Sequence, residues 1–504
     1  MSDTDQGGCP CGCSRREFLG AVTVAAAGLA METAGLTAAA GEQPAPNKQP
    51  ALVRGAFIYP PSERLRGKGQ WWSWPGNDFD AEGRQKKYME RIAQMEKDLA
   101  MRIVMDAKPL DAASDLGAFI ADVNAAKPDV SAKPDGLLLI PFHHAAFGHV
   151  DRILKEAAFP TVIFSSLGVK HGPVKPYMRS GIYFIQSLDN LDAVEYGMRM
   201  IRTWRAMRES RILNLGGSRP VKDSVVAGLG TAVRTVPIQA FVDAFGKVPV
   251  ETAVKELAAA FIKNAKQRLE PADEAVLAAA RAYFALKNLM EAHQADAVTL
   301  DCLRRGELMP CMGVMTLRDQ GIAAGCENDV TATLTLMLVQ HLFDRPGFQH
   351  NPAFETEANH YFASHCTSGS KLMGIHGPQE PYLLRSFAHT NDPTCVPQIL
   401  WREGADVTLA HLVPGEKPSL LVYSGKVVKS HAMPPVGGCR TNVEITINEV
   451  EDVCDVQGHH NVLFYGDFAR KLRQFARLYG LRLVPDSTKG GGTAVPGLPT
   501  REDG

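Results

Sequence analysis

One helix constrains the fold of this chain more than any other segment, because it is apolar on nearly every side. It begins near Val330 and contains Leu334, Leu336, Met337, Leu338, Val339, Leu342 and Phe343. A helix of this kind is buried inside a large domain. Asn328 or Asp329, just before it, can cap its first turn. Glu327 is then a carboxylate held just before a buried helix. Burying its charge is costly unless a cation pairs with it or a proton neutralises it. The sequence therefore predicts a metal-binding or acid–base role for Glu327.

A pair of histidines in Gly458-His459-His460 lies far downstream, between two strand-like runs. Imidazole nitrogens are common metal ligands, although a single histidine is more often a packed or solvated residue. The metal hypothesis therefore depends on whether Glu327 and His460 meet in space.

The first 40 residues have the pattern of a twin-arginine export signal. Ser14-Arg15-Arg16-Glu17-Phe18-Leu19 precedes a weakly apolar stretch at 21–30 and a small-residue cleavage pattern at 38–40. That stretch is too short and too weakly apolar for a stable membrane span. We therefore expect residues 1–40 to be removed, residues 41–50 to form a linker, and the mature protein to be periplasmic or secreted.

Composition excludes several classes of protein. The 54 Lys and Arg residues balance 55 Asp and Glu residues, so the chain lacks the basic character of a nucleic-acid-binding protein. Three of the ten cysteines lie in the first 13 residues, and the seven that remain include no CxxC pair. We expect no disulfide framework and interpret Cys302, Cys311, Cys326 and Cys366 as small buried hydrophobic residues.

The order of strand and helix patterns predicts an α/β fold. Strand-like runs alternate with helices in residues 51–175 and again in 176–345, which is typical of two parallel-sheet α/β domains. Residues 346–486 contain strand-like runs between Pro/Gly turns, followed by a closing helix at 466–480, which predicts a β-rich C-terminal domain. Residues 487–504 are expected to be a disordered tail.

Three motifs carry a resemblance to a known family. Gly325-Cys326-Glu327-Asn328-Asp329 precedes the buried helix, Ser364-His365-Cys366 follows, and His459-His460-Asn461 leads into Tyr465-Gly466-Asp467. Together they resemble the L-fucose isomerase/L-arabinose isomerase-like family. That resemblance implies an aldose–ketose isomerase that uses a divalent ion of the Mn²⁺ type, an enediol intermediate, and a trimeric or hexameric assembly. It covers most of the chain but is specific only in these motifs.

The resemblance also implies the roles of individual residues. Glu327 corresponds to the first carboxylate ligand and to a catalytic residue, and His460 to the histidine ligand. The second carboxylate falls on Asn351, which can donate an oxygen to a metal but cannot accept a proton. Glu355, with Glu357 beside it, is expected to substitute as the catalytic carboxylate if the loop is offset, and His350 is a further possible ligand.

Several other residues can be interpreted either as part of a binding site or as structural residues. We interpret His365 as a packed strand residue or a donor to a ligand. His143, His144 and His149 follow a strand end, where α/β sheets place ligands, or belong to a surface loop. Trp71, Trp72 and Trp74 are suited to stacking on a sugar or to a subunit contact.

Three functions follow. The first is an exported, metal-dependent sugar isomerase. The second is a non-catalytic sugar- or metal-binding protein of the same fold, in which Asn351→Asp would tighten metal binding. The third is a two-lobed solute-binding protein, which predicts neither a metal nor the long β segment.

Overall fold

A computed structural model describes residues 48–65, 80–125, 133–170, 172–218, 220–302, 308–387, 394–431 and 439–485. The predicted export signal, most of the linker, the three tryptophans at 71–74 and the C-terminal tail lie outside these ranges. The predicted class is confirmed, since the described residues form parallel α/β sheets followed by a β-rich region. None of the helices in the described ranges is long and apolar enough to cross a membrane.

The first sheet has five parallel strands in the order β2-β1-β3-β4-β5, formed by β1 (Leu52–Ile58), β2 (Arg102–Met105), β3 (Gly136–Pro141), β4 (Thr161–Ser166) and β5 (Ile182–Ser187). Its helices are α1 (Ser62–Leu65), α2 (Ala81–Asp98), α3 (Ala113–Asn124) and α4 (Phe147–Glu156). The continuous apolar runs of β3 and β4 form strands that are buried on both faces. β5 extends this sheet beyond the boundary expected at residue 175.

The second sheet has the order β11-β10-β6-β8-β7, with β6 (Arg211–Leu215), β7 (Lys222–Val225), β8 (Ala232–Val236), β10 (Ala297–Leu300) and β11 (Ala324–Cys326). The next helix, α5 (Asp192–Arg208), packs against β4 and β5 of the first sheet. The helices that follow it are α6 (Gln239–Lys247), α7 (Thr252–Asn264), α8 (Asp273–Ala292), α9 (Cys311–Asp319) and α10 (Val330–Phe343). β11 runs parallel to β10 at the edge of the sheet, so its carboxyl end leads directly into Glu327.

The β-rich region is a closed antiparallel barrel of six strands. Each strand pairs with two neighbours around the ring β12-β13-β18-β17-β16-β19, which consists of β12 (Phe348–Glu355), β13 (His360–His365), β16 (Asp406–Val413), β17 (Ser419–Ser430), β18 (Thr441–Ile445) and β19 (Asn461–Tyr465). β20 (Arg482–Val484) adds to β17, and the closing helix is α11 (Ala469–Tyr479). A small separate sheet contains β9 (Gln267–Arg268), β14 (Tyr382–Arg385) and β15 (Val396–Ile399).

The helix α10 is buried as predicted. Eleven of its 14 residues are buried, so the helix has almost no solvent-facing side. Its leucines share one hydrophobic core with the first sheet and with outward-facing residues of the barrel, such as Val462 and Phe464. Thr335 also accepts a hydrogen bond from the Leu412 amide of β16 at 3.0 Å. α10 therefore fixes the barrel against the α/β part of the chain.

His350 lies inside the barrel in a complete hydrogen-bond network. Its Nδ1 faces the Phe348 carbonyl at 3.0 Å, and a carbonyl only accepts, so Nδ1 carries the proton. Nε2 then accepts from the Tyr361 hydroxyl at 2.8 Å, and Tyr361 accepts from Asn461 at 3.2 Å. Burial lowers the pKa of His350 from 6.5 to about 3. The folded protein therefore keeps this imidazole neutral.

We predict that acid destabilises the fold partly through His350. The unfolded chain binds a proton below a pH of about 6.5, whereas folded His350 does not, so the free energy of unfolding falls as the pH falls. Between pH 7 and pH 5 this single group accounts for about 2 kcal/mol. Urea unfolding at both pH values should show the loss, and His350→Gln should shrink it. An equal pH dependence in the variant would contradict this origin.

Candidate metal centre

Glu327 is held by a strained turn at the end of β11. Glu327 and Asn328 both have left-handed backbone, with φ of 58° and 61°. Such residues are uncommon outside glycine and persist where the surroundings fix them. Here Gln349 accepts from the Cys326 amide at 2.9 Å and donates to the Cys326 carbonyl at 3.1 Å. The Asn328 amide also donates to the Leu300 carbonyl at 3.1 Å. The turn therefore points the carboxylate in one defined direction.

Asp329 links the start of α10 to the distant histidine pair. One carboxylate oxygen accepts from the Ala332 amide at 2.8 Å and caps the helix. Of the two caps that the sequence allowed, Asn328 and Asp329, the structure therefore uses Asp329. The other oxygen lies 2.8 Å from Nδ1 of His460. A carboxylate on one imidazole nitrogen orients the other nitrogen, as it does for many metal-bound histidines. Nε2 of His460 is thereby directed toward Glu327.

Glu327, His365 and His460 form the candidate centre. Their ligand atoms all lie within 4.8 Å of one another, and no other such group of histidine, cysteine and acidic side chains occurs in the described part of the chain. Nε2 of His365 lies 3.2 Å from one Glu327 oxygen, and Nε2 of His460 lies 3.3 Å from the other. His365 ends β13 and is 1% exposed, and His460 precedes β19 and is 4% exposed. The carboxylate and the imidazole that the sequence paired do meet.

The three side chains fit a divalent ion. Metal–ligand bonds of about 2.1 Å place neighbouring ligand atoms about 3.0–3.4 Å apart, and the two separations from Glu327 lie in that range. Neither Nε2 atom has a hydrogen-bond partner among the described residues, although both are buried. Buried nitrogens are rarely left in this state. A shared ion would give both nitrogens a partner. This set can hold an ion, and it does not determine which ion.

Electrostatics favour a cation at this point. Contacts with the His365 and His460 imidazoles hold the pKa of Glu327 well below its usual range, so Glu327 is an anion. Burial opposes the charge on His460, but contacts with Asp329 and Glu327 outweigh burial and raise the pKa of His460 to about 9. His460 must lose its proton to bind an ion. Metal binding should therefore release a proton and tighten as the pH rises.

His365 was not predicted from the sequence as a ligand, and His411 was not predicted near the centre at all. The sequence treated His365 as a packed residue or a donor, because one histidine in a strand carries no ligand signal. His411 on β16 also lies buried near Asp329 and His460, and burial lowers its pKa to about 4. Both face the same end of the barrel interior as Asn461, because side chains alternate along paired strands. Pairing among the strands β13, β12, β19 and β16, which are distant in sequence, brings them there.

The structure does not bring Asn351 to the centre. Asn351 pairs with Ser364, and His365 is the next residue along β13. Successive side chains in a strand point to opposite faces, so Asn351 lies on the outer face of the barrel wall and His365 on the inner face. The Oδ1 atom of Asn351 has no hydrogen-bond partner in the described ranges. His365, rather than the residue at the expected second position, completes the group.

Glu355 also lies away from the centre. It is exposed at the far end of β12, where it pairs with His360 and accepts from the Glu357 amide at 3.2 Å. Five residues of strand separate it from His350, which corresponds to roughly 16 Å. A carboxylate at this distance cannot exchange a proton with a group bound at Glu327.

The other predicted histidines lie at the carboxyl end of the first sheet. His143 and His149 line a cavity of about 240 Å³ beside Tyr59 and Asp111. This is the place where the strand order reverses, between β1 and β3, which is a common ligand position in such sheets. His149 is tied to the Asp111 carbonyl at 2.9 Å. This cavity is separate from the metal centre.

Because comparison with known proteins assigns no family to this chain, the class of protein is defined here by its fold and by its candidate metal site. No protein-family model matches this chain, and a search of curated proteins finds no match. The described residues define a mixed α/β protein in which a parallel sheet and a second sheet, parallel except for its antiparallel edge strand β7, are joined to an antiparallel barrel. A buried group of one glutamate and two histidines, able to hold a metal ion, lies at the mouth of that barrel.

We predict that one divalent ion binds per chain and that binding depends on all three ligands. Glu327→Gln, His365→Gln and His460→Gln should each weaken Zn²⁺ or Mn²⁺ binding at least about 100-fold, because losing a ligand costs more than losing its support. Calorimetric titration of the folded variants measures the effect. Asn351→Ala and Glu355→Gln serve as matched controls and should bind like the unmodified chain. If either control variant lost metal binding, the ion would be bound by a different set of ligands.

We further predict that Asp329 acts through His460. Asp329→Asn keeps a helix cap, because asparagine caps as well as aspartate, but it removes the charge that orients the imidazole. Metal affinity should fall about 10- to 100-fold, with little change in the unfolding temperature. Asp329→Ala should lose stability as well. Unchanged affinity in Asp329→Asn would show that the ring is oriented by packing alone.

Proposed function

We propose that this protein is a metal-dependent sugar isomerase that interconverts an aldose and a ketose. The observation that carries the proposal is the meeting of Glu327 and His460, 133 positions apart in the sequence, at 3.3 Å with His365 beside them. The order of two α/β units and a β-rich region, together with the motifs around Glu327 and His460, supports this reaction over other metal-dependent chemistry.

Mn²⁺ is our proposed ion. When bound, a divalent ion supplies polarisation of the carbonyl and hydroxyl oxygens of a sugar and so acidifies the adjacent C–H bond. Two imidazoles and one carboxylate also suit Fe²⁺ and Zn²⁺, and Zn²⁺ is expected to bind more tightly in vitro by the usual order of divalent affinities. Activity, rather than affinity, therefore identifies the working ion.

The protein side chains have separate roles in this proposal. Glu327, His365 and His460 hold the ion, and Asp329 keeps His460 oriented. We assign the proton transfer between the two sugar carbons to His459, since Glu355 lies too far away. The His459 ring lies 4.4 Å from that of His460, and its side chain is exposed, so a substrate can reach it. Histidine is the side chain most often used for this work.

The proposal includes an exported location and self-association. The pattern around Arg15 and Arg16 supports twin-arginine export, a route that carries folded proteins and so allows the ion to be loaded before export. The resemblance supports a homo-oligomer. A trimer or hexamer would be detected by light scattering.

A second candidate function is binding without turnover. One observation favours it: Glu355, the carboxylate expected to move the proton, is exposed at the far end of β12. In that case the centre would bind a metal or a metal–sugar complex and release it unchanged. The hypothesis of a two-lobed solute-binding protein has less support than the other two, because it predicts neither the closed barrel nor the group of metal-ligand side chains.

The decisive experiment is an assay for ketose formation from a panel of aldoses. The purified protein is stripped with a chelator, reloaded with Mn²⁺, Fe²⁺ or Zn²⁺, and its products are separated by chromatography. We expect ketose from at least one aldose with Mn²⁺, and none in Glu327→Gln. His459→Gln should lower kcat about 100-fold or more with unchanged metal affinity, because it removes only the proton carrier.

Glu355→Gln is the control that separates the two carboxylates, and it should retain full activity. Turnover that survives in Glu327→Gln would refute the isomerase proposal. Metal and sugar binding without any product, across the whole panel and all three ions, would establish the binding function instead.

A further inference from the structure

Two cysteines lie side by side at the edge of the metal centre. The Sγ atoms of Cys366 and Cys439 are 3.5 Å apart, although 73 positions separate them in the sequence. Cys366 follows the ligand His365 directly. Cys439 precedes Thr441, the strand partner of His365 in β18. The two thiols therefore lie in contact where the end of β13 and the start of β18 run side by side, next to this ligand.

We propose that Cys366 and Cys439 form a reversible disulfide that acts as a redox-dependent cross-link beside the metal centre. A disulfide needs an S–S bond of about 2.05 Å, so the two sulfur atoms must approach by about 1.5 Å. That is a small side-chain adjustment at a strand end. Cys302 and Cys326, the other pair in contact among the described cysteines, are both buried, so neither sulfur is open to an oxidant.

Exposure sets the order of the steps. Cys439 is partly exposed, whereas Cys366 is buried. The Cys439 thiolate attacks a small-molecule disulfide such as oxidised glutathione, forms a mixed disulfide and releases one thiol. The Cys366 sulfur then attacks the Cys439 sulfur, its proton passes to the departing small thiolate, and the second small thiol is released. Two protein thiols are oxidised to one disulfide, and one small disulfide is reduced to two thiols.

The cross-link should stabilise the barrel. It closes a loop of about 74 residues, and long loops lose the most chain entropy in the unfolded state when they are closed. It also joins the end of β13 to the segment that leads into β18, at the residue that follows His365. The strand that carries this ligand then has less freedom to move.

The test compares chains incubated with oxidised glutathione or with a phosphine reductant. We expect the oxidised chain to lose two free thiols, to give a cross-linked peptide that contains Cys366 and Cys439, and to unfold at a temperature higher by about 2 °C or more. Cys439→Ala and Cys366→Ala should abolish all three changes. Cys454→Ala, a partly exposed cysteine, and Cys395→Ala, a buried one, are matched controls that should retain them.

A cross-link to any other cysteine, or two thiols that stay free, would overturn the proposal. The effect on the centre rests on the metal site proposed above and has its own measurement. The oxidised chain should bind Zn²⁺ about fivefold more tightly than the reduced chain, with no difference in Cys439→Ala. Equal affinities would show that the disulfide does not restrict His365. Absence of Zn²⁺ binding in both forms would count against the metal site and leave the disulfide result intact.

Discussion

Burial of α10 is the constraint on which the rest of the structure depends. The helix is buried on nearly every side, so its side chains are close-packed against neighbours all around it, and rotation or sliding would open cavities and create overlaps. Its position is therefore fixed against the first sheet on one side and the barrel on the other. This fixes Asp329 at its first turn, and Asp329 in turn fixes the His460 ring. A hydrophobic constraint thus sets the geometry of a polar site.

The centre is assembled from the ends of elements, where the backbone leaves its regular conformation. Glu327 follows β11, His365 ends β13, and His460 precedes β19. Left-handed backbone occurs at Glu327, Asn328 and His460, none of which is glycine. Strain of about 1–3 kcal/mol per residue persists only where surrounding contacts compensate it. Its concentration around one ligand group is typical of a functional site.

Two kinds of chemistry share the end of β13. His365 faces the barrel interior and the metal group, while the next residue, Cys366, faces a separate cluster that includes Cys311, Phe387 and Cys439. The alternation of side chains in a strand places successive residues on opposite sides of the barrel wall. One peptide unit therefore separates the proposed cross-link from the proposed metal ligand.

Local patterns in the sequence determined the alternation of strands and helices, the burial of α10, a cap at Asn328 or Asp329, and the pairing of Glu327 with His460. The sequence could not determine that β5 joins the first sheet, that His365 completes the centre, or that Asn351 and Glu355 face away from it. These outcomes depend on strand register and barrel closure. Both are set by pairing between distant segments, and a shift of one residue moves a side chain to the opposite face.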